Sequence, residues 1–138
     1  MSKSKLIYTE SRKISPVSYW VHYGMDEHDR PYSQCDDYTP PFPPKDPVKG
    51  YPYLLVTVIG FELEFASSLE LDHCIEILMQ RNLPTTTYLS EQRGTGQGPN
   101  SHWLSRLPSE LKSWSKRERI VAALIKAKEK LLSEKIRF

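Results

Sequence analysis

Residues 53–65 read Tyr-Leu-Leu-Val-Thr-Val-Ile-Gly-Phe-Glu-Leu-Glu-Phe, and the fold is expected to be built around this stretch. Its first half is apolar on both faces, which is typical of a strand in the middle of a sheet. Its second half alternates apolar residues with Glu62 and Glu64, so one face leaves the core where the carboxylates begin. Gly60 stands at the changeover and indicates a bulge or a close backbone approach. The stretch therefore predicts one long strand.

Two amphipathic helices are expected after this strand. Ser67 and Glu70 have the spacing of a capping box, and Ser115 and Glu118 have the same spacing further along the chain. An apolar stripe at helical spacing follows the first pair, in Leu71, Cys74, Ile75, Leu78 and Met79. A longer one follows the second pair, in Ile120, Val121, Leu124, Ile125, Ala127, Leu131 and Leu132. Each stripe needs an apolar surface to cover it.

The predicted fold class is therefore α+β, a small and mostly antiparallel sheet with the two main helices packed on one face. Further strand candidates are Leu6–Thr9, Val17–Tyr23 and Thr85–Leu89. Residues 1–14 are polar and basic, which predicts a flexible basic tail or a poorly anchored first strand. Residues 15–138 are expected to form a single domain.

Residues 25–52 contain seven of the eleven prolines of the chain. Proline removes a backbone donor and is excluded from helix interiors and central strands, so a long proline-rich loop is predicted here. Loops of this length in a small domain are generally functional, well packed or disordered. Phe42 and neighbouring tyrosines are expected to hold the segment against one side of the sheet.

Charge is distributed unevenly along the chain. Residues 1–25 carry four basic and one acidic side chains, residues 26–92 carry four and twelve, and residues 93–138 carry eleven and four. The formal net charge of +2 therefore conceals an acidic middle and a basic C-terminal third. Such asymmetry indicates either a surface for a polyanion or a charge-paired partner.

The basic third supports the leading functional hypothesis, a small nonenzymatic binding or regulatory protein that acts on nucleic acid or a nucleoprotein complex. Cations interleaved with aromatic residues are what single-stranded nucleic acid binding uses, since cations neutralise phosphates and rings stack on bases. The candidate contacts are Arg106, Lys116, Arg119, Lys126, Lys130, Trp103 and Trp114. A lysine-rich helix that only solubilises the surface is the competing interpretation.

An enzymatic alternative is a metal-assisted hydrolase or nuclease. Glu62 and Glu64 share one face of a strand, and His73 or His102 would have to converge on them in space. The glycine-rich run from Gly94 to Pro99 lacks the spacing of a phosphate loop and is interpreted as a hinge or lid. No cofactor and no metal site is predicted, and the balance favours a protein that is not an enzyme.

A second alternative is a protein–protein interaction module or a homodimer with charge-paired surfaces. Cys35 and Cys74 are expected to be free thiols, and Cys74 lies on the apolar stripe of the first helix. No segment has the length of a membrane span, and a soluble, cytoplasmic protein without a membrane partner is expected.

Overall fold

The computed structural model describes residues 2–28, 30–93 and 102–138. Its strands are β1 (Ser2–Thr9), β2 (Tyr23–Met25), β3 (Asp37–Thr39), β4 (Tyr51–Val58) and β5 (Phe61–Phe65). Its α-helices are α1 (Ser18–Val21), α2 (Ser68–Leu78), α3 (Thr86–Arg93) and α4 (Trp114–Ser133), with 3-10 helices at Tyr32–Gln34, Trp103–Arg106 and Ser109–Leu111. The sheet order is β1-β4-β5, all antiparallel, and β2 pairs separately with β3. The predicted α+β class, with a small antiparallel sheet and two main helices, is confirmed.

Residues 53–65 form most of a hairpin and not one strand. β4 and β5 are joined by a two-residue turn at Ile59 and Gly60, whose φ angles are 53° and 70°. Positive φ at both positions belongs to the turn type whose twist matches that of a hairpin. The prediction of one long strand is wrong because apolar Ile59 gives no turn signal in the sequence.

Residues 1–14 were predicted to be a flexible basic tail or a poorly anchored first strand, and the structure has a strand that includes the candidate Leu6–Thr9. Ser2–Thr9 forms β1, which pairs along its whole length with β4, from Ser2 opposite Val58 to Thr9 opposite Tyr51. Leu6 packs on the helix side of the sheet and Ile7 on the opposite side. β4 lies in the middle of the sheet, and β1 supplies its second hydrogen-bonding neighbour.

Two strand candidates are helices in the structure. In Val17–Tyr23, the Ser15 hydroxyl accepts hydrogen bonds from the N–H groups of Val17 and Ser18, which starts α1. In Thr85–Leu89, the Thr85 hydroxyl accepts from the N–H of Tyr88 and starts α3. Both predictions are wrong because these hydrogen bonds from the main chain to hydroxyl groups favour helical turns over the extended conformation that aromatic and β-branched residues prefer.

Of the two predicted capping boxes, one forms in part, because the Glu70 carboxylate accepts from the N–H of Ala66 and not from that of Ser67. Ser67 is the N-cap of α2, and its hydroxyl accepts from the N–H of Glu70. The N-cap of α4 is Ser113, which makes no side-chain capping bond, so the box expected at Ser115 and Glu118 is absent. Helix α4 begins earlier than predicted and continues for 20 residues.

The sheet separates two apolar clusters. The larger lies between the sheet and helices α2 and α4, and it includes Leu54, Val56 and Phe65. The smaller lies on the other face, where Phe42 packs with Tyr53 and Ala66. The proline-rich segment therefore covers the sheet face opposite the helices, because Phe42 inserts there.

Candidate polyanion-binding groove

A groove opens where the edge strand β1 faces helix α4. Its volume is about 870 Å³. The lining includes Ser2 and Ser4 of β1, Val56 of β4, and Ala123 and Ala127 of α4. These side chains are small, so the helix and the strand edge leave an unfilled space between them.

Two further cavities continue this groove in both directions. One of about 250 Å³ is lined by Ser2, Arg119 and Lys126, and therefore shares residues with the central groove. Another of about 490 Å³ lies beyond Lys5 and Ser133, and is lined by Tyr8 and by residues 134–137. Strand β1 and helix α4 run in the same direction past all three. We call these three cavities together the basic track.

The track is rich in positive charge. Nine cationic residues line it, all of them exposed: Lys3, Lys5, Lys45, Lys49, Arg119, Lys126, Lys130, Lys135 and Arg137. Only three carboxylates accompany them in the described structure, those of Asp46, Glu129 and Glu134. The track thus carries an excess of six positive charges, whereas the whole chain carries +2. Positive charge is therefore concentrated along one edge of the molecule.

The cations of the track have no ionic partners among the described residues. The ion pairs found there use other groups: Lys13 with Glu64, Arg30 with Asp26 and Asp36, Lys128 with Asp72, and the buried contact of His22 with Glu70. Part of the acidic middle is consequently neutralised within the chain. The positive charge of the track faces solvent.

Three of the predicted phosphate contacts lie on the track. Arg119, Lys126 and Lys130 line it from α4. Arg106 is exposed on the 3-10 helix Trp103–Arg106, and Lys116 lies in the first turn of α4, and neither lines the track. Sequence reasoning missed Lys3 and Lys5, because their segment was expected to be a tail and not the strand beside α4.

The two tryptophans do not offer open rings. Trp103 is buried, and its Nε1 donates to His73 Nε2 at 3.1 Å. Trp114 is half-buried, with the guanidinium groups of Arg81 and Arg117 at 4.9 and 5.1 Å from its ring centroid. Their expected role as base-stacking partners therefore has no geometric support.

The carboxylates and histidines of the enzymatic alternative are separated. Glu62 and Glu64 alternate with core residues of β5, so they lie on the sheet face away from α2 and α4. His73 lies on α2 and packs instead against His102, with 6.0 Å between the ring centroids. Among the described residues, no three His, Cys, Asp or Glu side chains are grouped so as to hold a metal ion.

The two helix-side histidines are held neutral. Burial lowers the pKa of His73 to about 4 and that of His102 to about 3. His73 Nε2 accepts from Trp103, and His102 Nδ1 accepts from the N–H of Leu104 at 3.1 Å. These lone pairs are used by the fold, so both rings act as structural acceptors.

A buried polar cluster joins the N-terminal segment to the start of α2. The Glu70 carboxylate is fully buried and accepts from the hydroxyls of Ser15 and Ser18, the latter at 2.7 Å, and from the N–H of Ala66 at 2.9 Å. The sequence indicated Glu70 only as a capping residue. Its partners Ser15 and Ser18 are more than 50 residues away in the chain, and no local pattern connects them.

His22 belongs to the same cluster. Its Nδ1 lies 2.6 Å from the carbonyl oxygen of Pro40, so Nδ1 carries a proton and donates. Its Nε2 lies 2.7 Å from Ser67 Oγ. Although a serine beside a histidine is the arrangement of a nucleophile and its base, both side chains are buried and Phe42 stacks on the imidazole at 4.0 Å. No substrate reaches this pair in the described structure.

Neither cysteine has the setting of a nucleophile. Cys74 is fully buried, and burial raises the pKa of its thiol, so it is a core residue. Cys35 is also a free thiol, partly buried, and burial raises its pKa as well. The glycine-rich run at residues 94–99, interpreted above as a hinge or lid, lies outside the described residues.

Comparison of this chain with protein-family models, with curated proteins and with solved structures finds no match. Across the described ranges, none of the helices combines the length and the apolar character needed to cross a bilayer.

Proposed function

We propose that this protein is a nonenzymatic binding module that holds nucleic acid through its phosphate backbone, along the basic track. The observation that carries the proposal is the concentration of nine exposed cations, without ionic partners in the described ranges, on one edge of a chain with a net charge of only +2. Lysine and arginine side chains that neutralise phosphates release condensed counterions, and this release supplies most of the affinity of sequence-independent binding.

The dimensions of the track suit an extended ligand. The eight residues of β1 span roughly 25 Å at about 3.3 Å per residue. Helix α4 and the turn after it cover a similar distance between Arg119 and Lys135, about 24 Å at 1.5 Å per residue. Cations of α4 therefore follow the ligand along one side of the groove, while Lys3 and Lys5 extend from the edge strand β1 on the sheet face of Ile7.

We do not expect this surface to recognise a particular base sequence. Trp103 is buried and Trp114 lies against two arginines, so base stacking on these rings is not expected. Binding by phosphate contacts positions a ligand but does not read its bases. We therefore expect similar affinity for different sequences of equal length.

Fluorescence anisotropy with a labelled single-stranded oligonucleotide, measured between 50 and 200 mM salt, tests the proposal. We expect the affinity to fall steeply with salt. The double variant Lys126→Glu/Lys130→Glu should bind at least tenfold more weakly, with the slope of log K against log salt reduced by roughly 0.7 for each phosphate that the protein no longer neutralises.

The matched control is Arg106→Glu/Lys112→Glu, which changes the net charge equally but lies off the track. Equal decreases in affinity in the two variants would show that only net charge matters and would overturn the proposed site. Absent or salt-insensitive binding, or selective binding of polyglutamate in place of nucleic acid, would overturn the proposed function. The homodimer with charge-paired surfaces remains a separate prediction, tested by light scattering at low and high salt.

A further inference from the structure

At one end of the basic track a third segment of the chain lines the cavity, and we call this the three-walled end. Its cavity of about 490 Å³ is bounded by Tyr8 near the end of β1, by Pro44–Lys49 of the proline-rich segment, and by residues 134–137 after helix α4. The other two cavities have walls only from the sheet and α4 among the described residues. Here the proline-rich segment adds a third wall beside the end of β1.

This third wall is fixed in place by a turn. The N–H of Asp46 donates to the carbonyl of Gly50 at 2.8 Å, and the N–H of Gly50 donates back at 3.0 Å. Gly50 has a φ of 109°, and a Cβ at this position would overlap the carbonyl oxygen of Thr9. The turn therefore packs directly on the end of β1, which only glycine permits.

The main chain of the turn donates hydrogen bonds to one of the acidic groups near the cavity. Asp46 Oδ1 accepts from the N–H groups of Val48 and Lys49, at 2.9 and 2.8 Å, and these bonds lower the pKa of the carboxyl group. Its charge is therefore directed at its own main chain. The exposed Glu134 is the other carboxylate in the described lining.

Four cationic residues line the cavity of the three-walled end, two from each of two segments. Lys45 and Lys49 come from the turn, with their ammonium groups 5.7 Å from the ring centroid of Tyr51 and 5.4 Å from that of Tyr8. Lys135 and Arg137 come from the segment after α4. Lys135 has a φ of 55°, and the N–H of Ile136 donates to the carbonyl of Leu131 at 3.0 Å, so the chain turns back toward the cavity.

We propose that the three-walled end binds a phosphate monoester, with the terminal phosphate of a nucleic acid strand as its source. Naming nucleic acid as the source rests on the proposed function. A continuing strand would have to pass the wall formed by Pro44–Lys49, whereas a strand end needs no exit. A terminal phosphate carries a charge of about −1.5 to −2 at pH 7, more than an internal diester, and so gains more from four surrounding cations.

The volume fits this ligand. Small-molecule sites in proteins typically measure about 300–1,000 Å³, and the cavity of the three-walled end lies in that range. The fork of Arg137 can bind two phosphate oxygens at once, while the three lysines act as point charges. The same chemistry would hold a free nucleotide, which the experiment must distinguish from a strand end.

The experiment compares oligonucleotides of one sequence that carry a 5′-phosphate, a 3′-phosphate or no terminal phosphate. Each phosphorylated strand is labelled at the end that does not carry the phosphate. We expect one of the phosphorylated strands to bind at least fivefold more tightly than the unphosphorylated strand. The double variant Lys49→Ala/Arg137→Ala should abolish this ratio. The matched variant Lys126→Ala/Lys130→Ala should weaken all three strands equally and preserve the ratio.

The pH dependence gives a second measurement. The second ionisation of a phosphate monoester has a pKa near 6, so the preference for the phosphorylated strand should shrink as the pH falls through about 6. The variants change exposed side chains, and circular dichroism verifies that they fold.

The outcomes separate the two proposals. Tight binding of all three strands with a ratio near one overturns the terminal site and leaves the proposed function standing. If no strand binds, but inorganic phosphate or a nucleoside monophosphate still binds in a manner that depends on Lys49 and Arg137, the proposed function is overturned. That result would support a monoester site for a free ligand. If none of these probes binds, the site itself is overturned.

Discussion

The guanidinium of Arg117 donates a hydrogen bond to the main-chain carbonyl of Leu78, with 3.0 Å between Nη1 and the oxygen. The same group also donates to the carbonyls of Lys112, Gln80 and Arg81. Arg117 is only 4% exposed, so one of the cations in the basic third of the chain belongs to the interior. It joins the start of α4 to the end of α2, where the last carbonyls of a helix lack partners.

Replacing Arg117 with alanine should destabilise the protein by about 3 kcal/mol, because several buried or half-buried carbonyls would lose a charged donor. Urea unfolding at pH 7 measures the change in the free energy of unfolding. Arg119→Ala removes the same side chain from an exposed position two residues away and should change stability by less than about 0.5 kcal/mol. Equal effects in the two variants would contradict the structural role of Arg117.

Replacing Glu70 with glutamine should lower the free energy of unfolding by about 2 kcal/mol. The carboxylate accepts from three donors, whereas an amide offers one oxygen, and its NH2 group would face either Ser18 or both Ser15 and the N–H of Ala66. Chemical denaturation measures the decrease. Glu62→Gln is the control, since Glu62 is exposed on β5 and the chemical change is the same. A decrease at Glu70 no larger than at Glu62 would show that the buried cluster does not hold the N-terminal segment.

Stability should fall as the pH drops below about 6.5. Burial lowers the pKa of His73 to about 4 and of His102 to about 3, while the unfolded chain titrates near 6.5. At pH values between the folded and the unfolded pKa of each histidine, the unfolded state therefore binds more protons than the folded state. The resulting decrease in the free energy of unfolding is at most about 1.4 kcal/mol per pH unit for each histidine, and the contribution is fully present above 6.5.

The double variant His73→Gln/His102→Asn tests this origin of the pH dependence. Both amides supply an oxygen acceptor in place of the ring nitrogen, and neither titrates. Urea unfolding at pH 5 and pH 7.5 should give a smaller difference in the variant than in the parent protein. An unchanged difference would assign the pH dependence to other groups.

Gly50 and Gly60 form a matched pair for backbone strain, since both have positive φ. Gly60→Ala should cost roughly 1–2 kcal/mol, as expected for a left-handed residue in open space, because nothing lies within 4 Å of the added Cβ. Gly50→Ala should cost clearly more, since its Cβ would overlap the carbonyl oxygen of Thr9. Thermal unfolding of the two variants compares them, and equal shifts in Tm would contradict the close packing of the turn on β1.

The sequence predicted features that depend on hydrogen bonds between residues close together in the chain. The N-cap at Ser67 was predicted correctly, because its hydroxyl and its partner N–H at Glu70 are three residues apart. The buried role of Glu70 was not, because its other partners come from a distant segment. The turn at Ile59 and Gly60 was missed for a different reason, since a β-branched residue rarely adopts positive φ and therefore gives no turn signal in the sequence.

The candidate site was predicted in part. Lys126 and Lys130 were named from the polar face of an expected helix, which periodicity reveals. The sequence could not place Lys3 and Lys5 near these residues. The position of their strand at the edge of the sheet depends on the strand order, which the sequence does not reveal.

Composition and periodicities of a few residues were sufficient to establish the α+β class, the apolar faces of α2 and α4, and the unequal distribution of charge. Which charges lie together emerged only from the folded chain. Folding buried Arg117 and Glu70, and it brought residues 3–5, 45–49 and 119–137 to one edge of the molecule. Charge proximity depends on strand order and helix packing, and these are set by contacts between residues far apart in the chain.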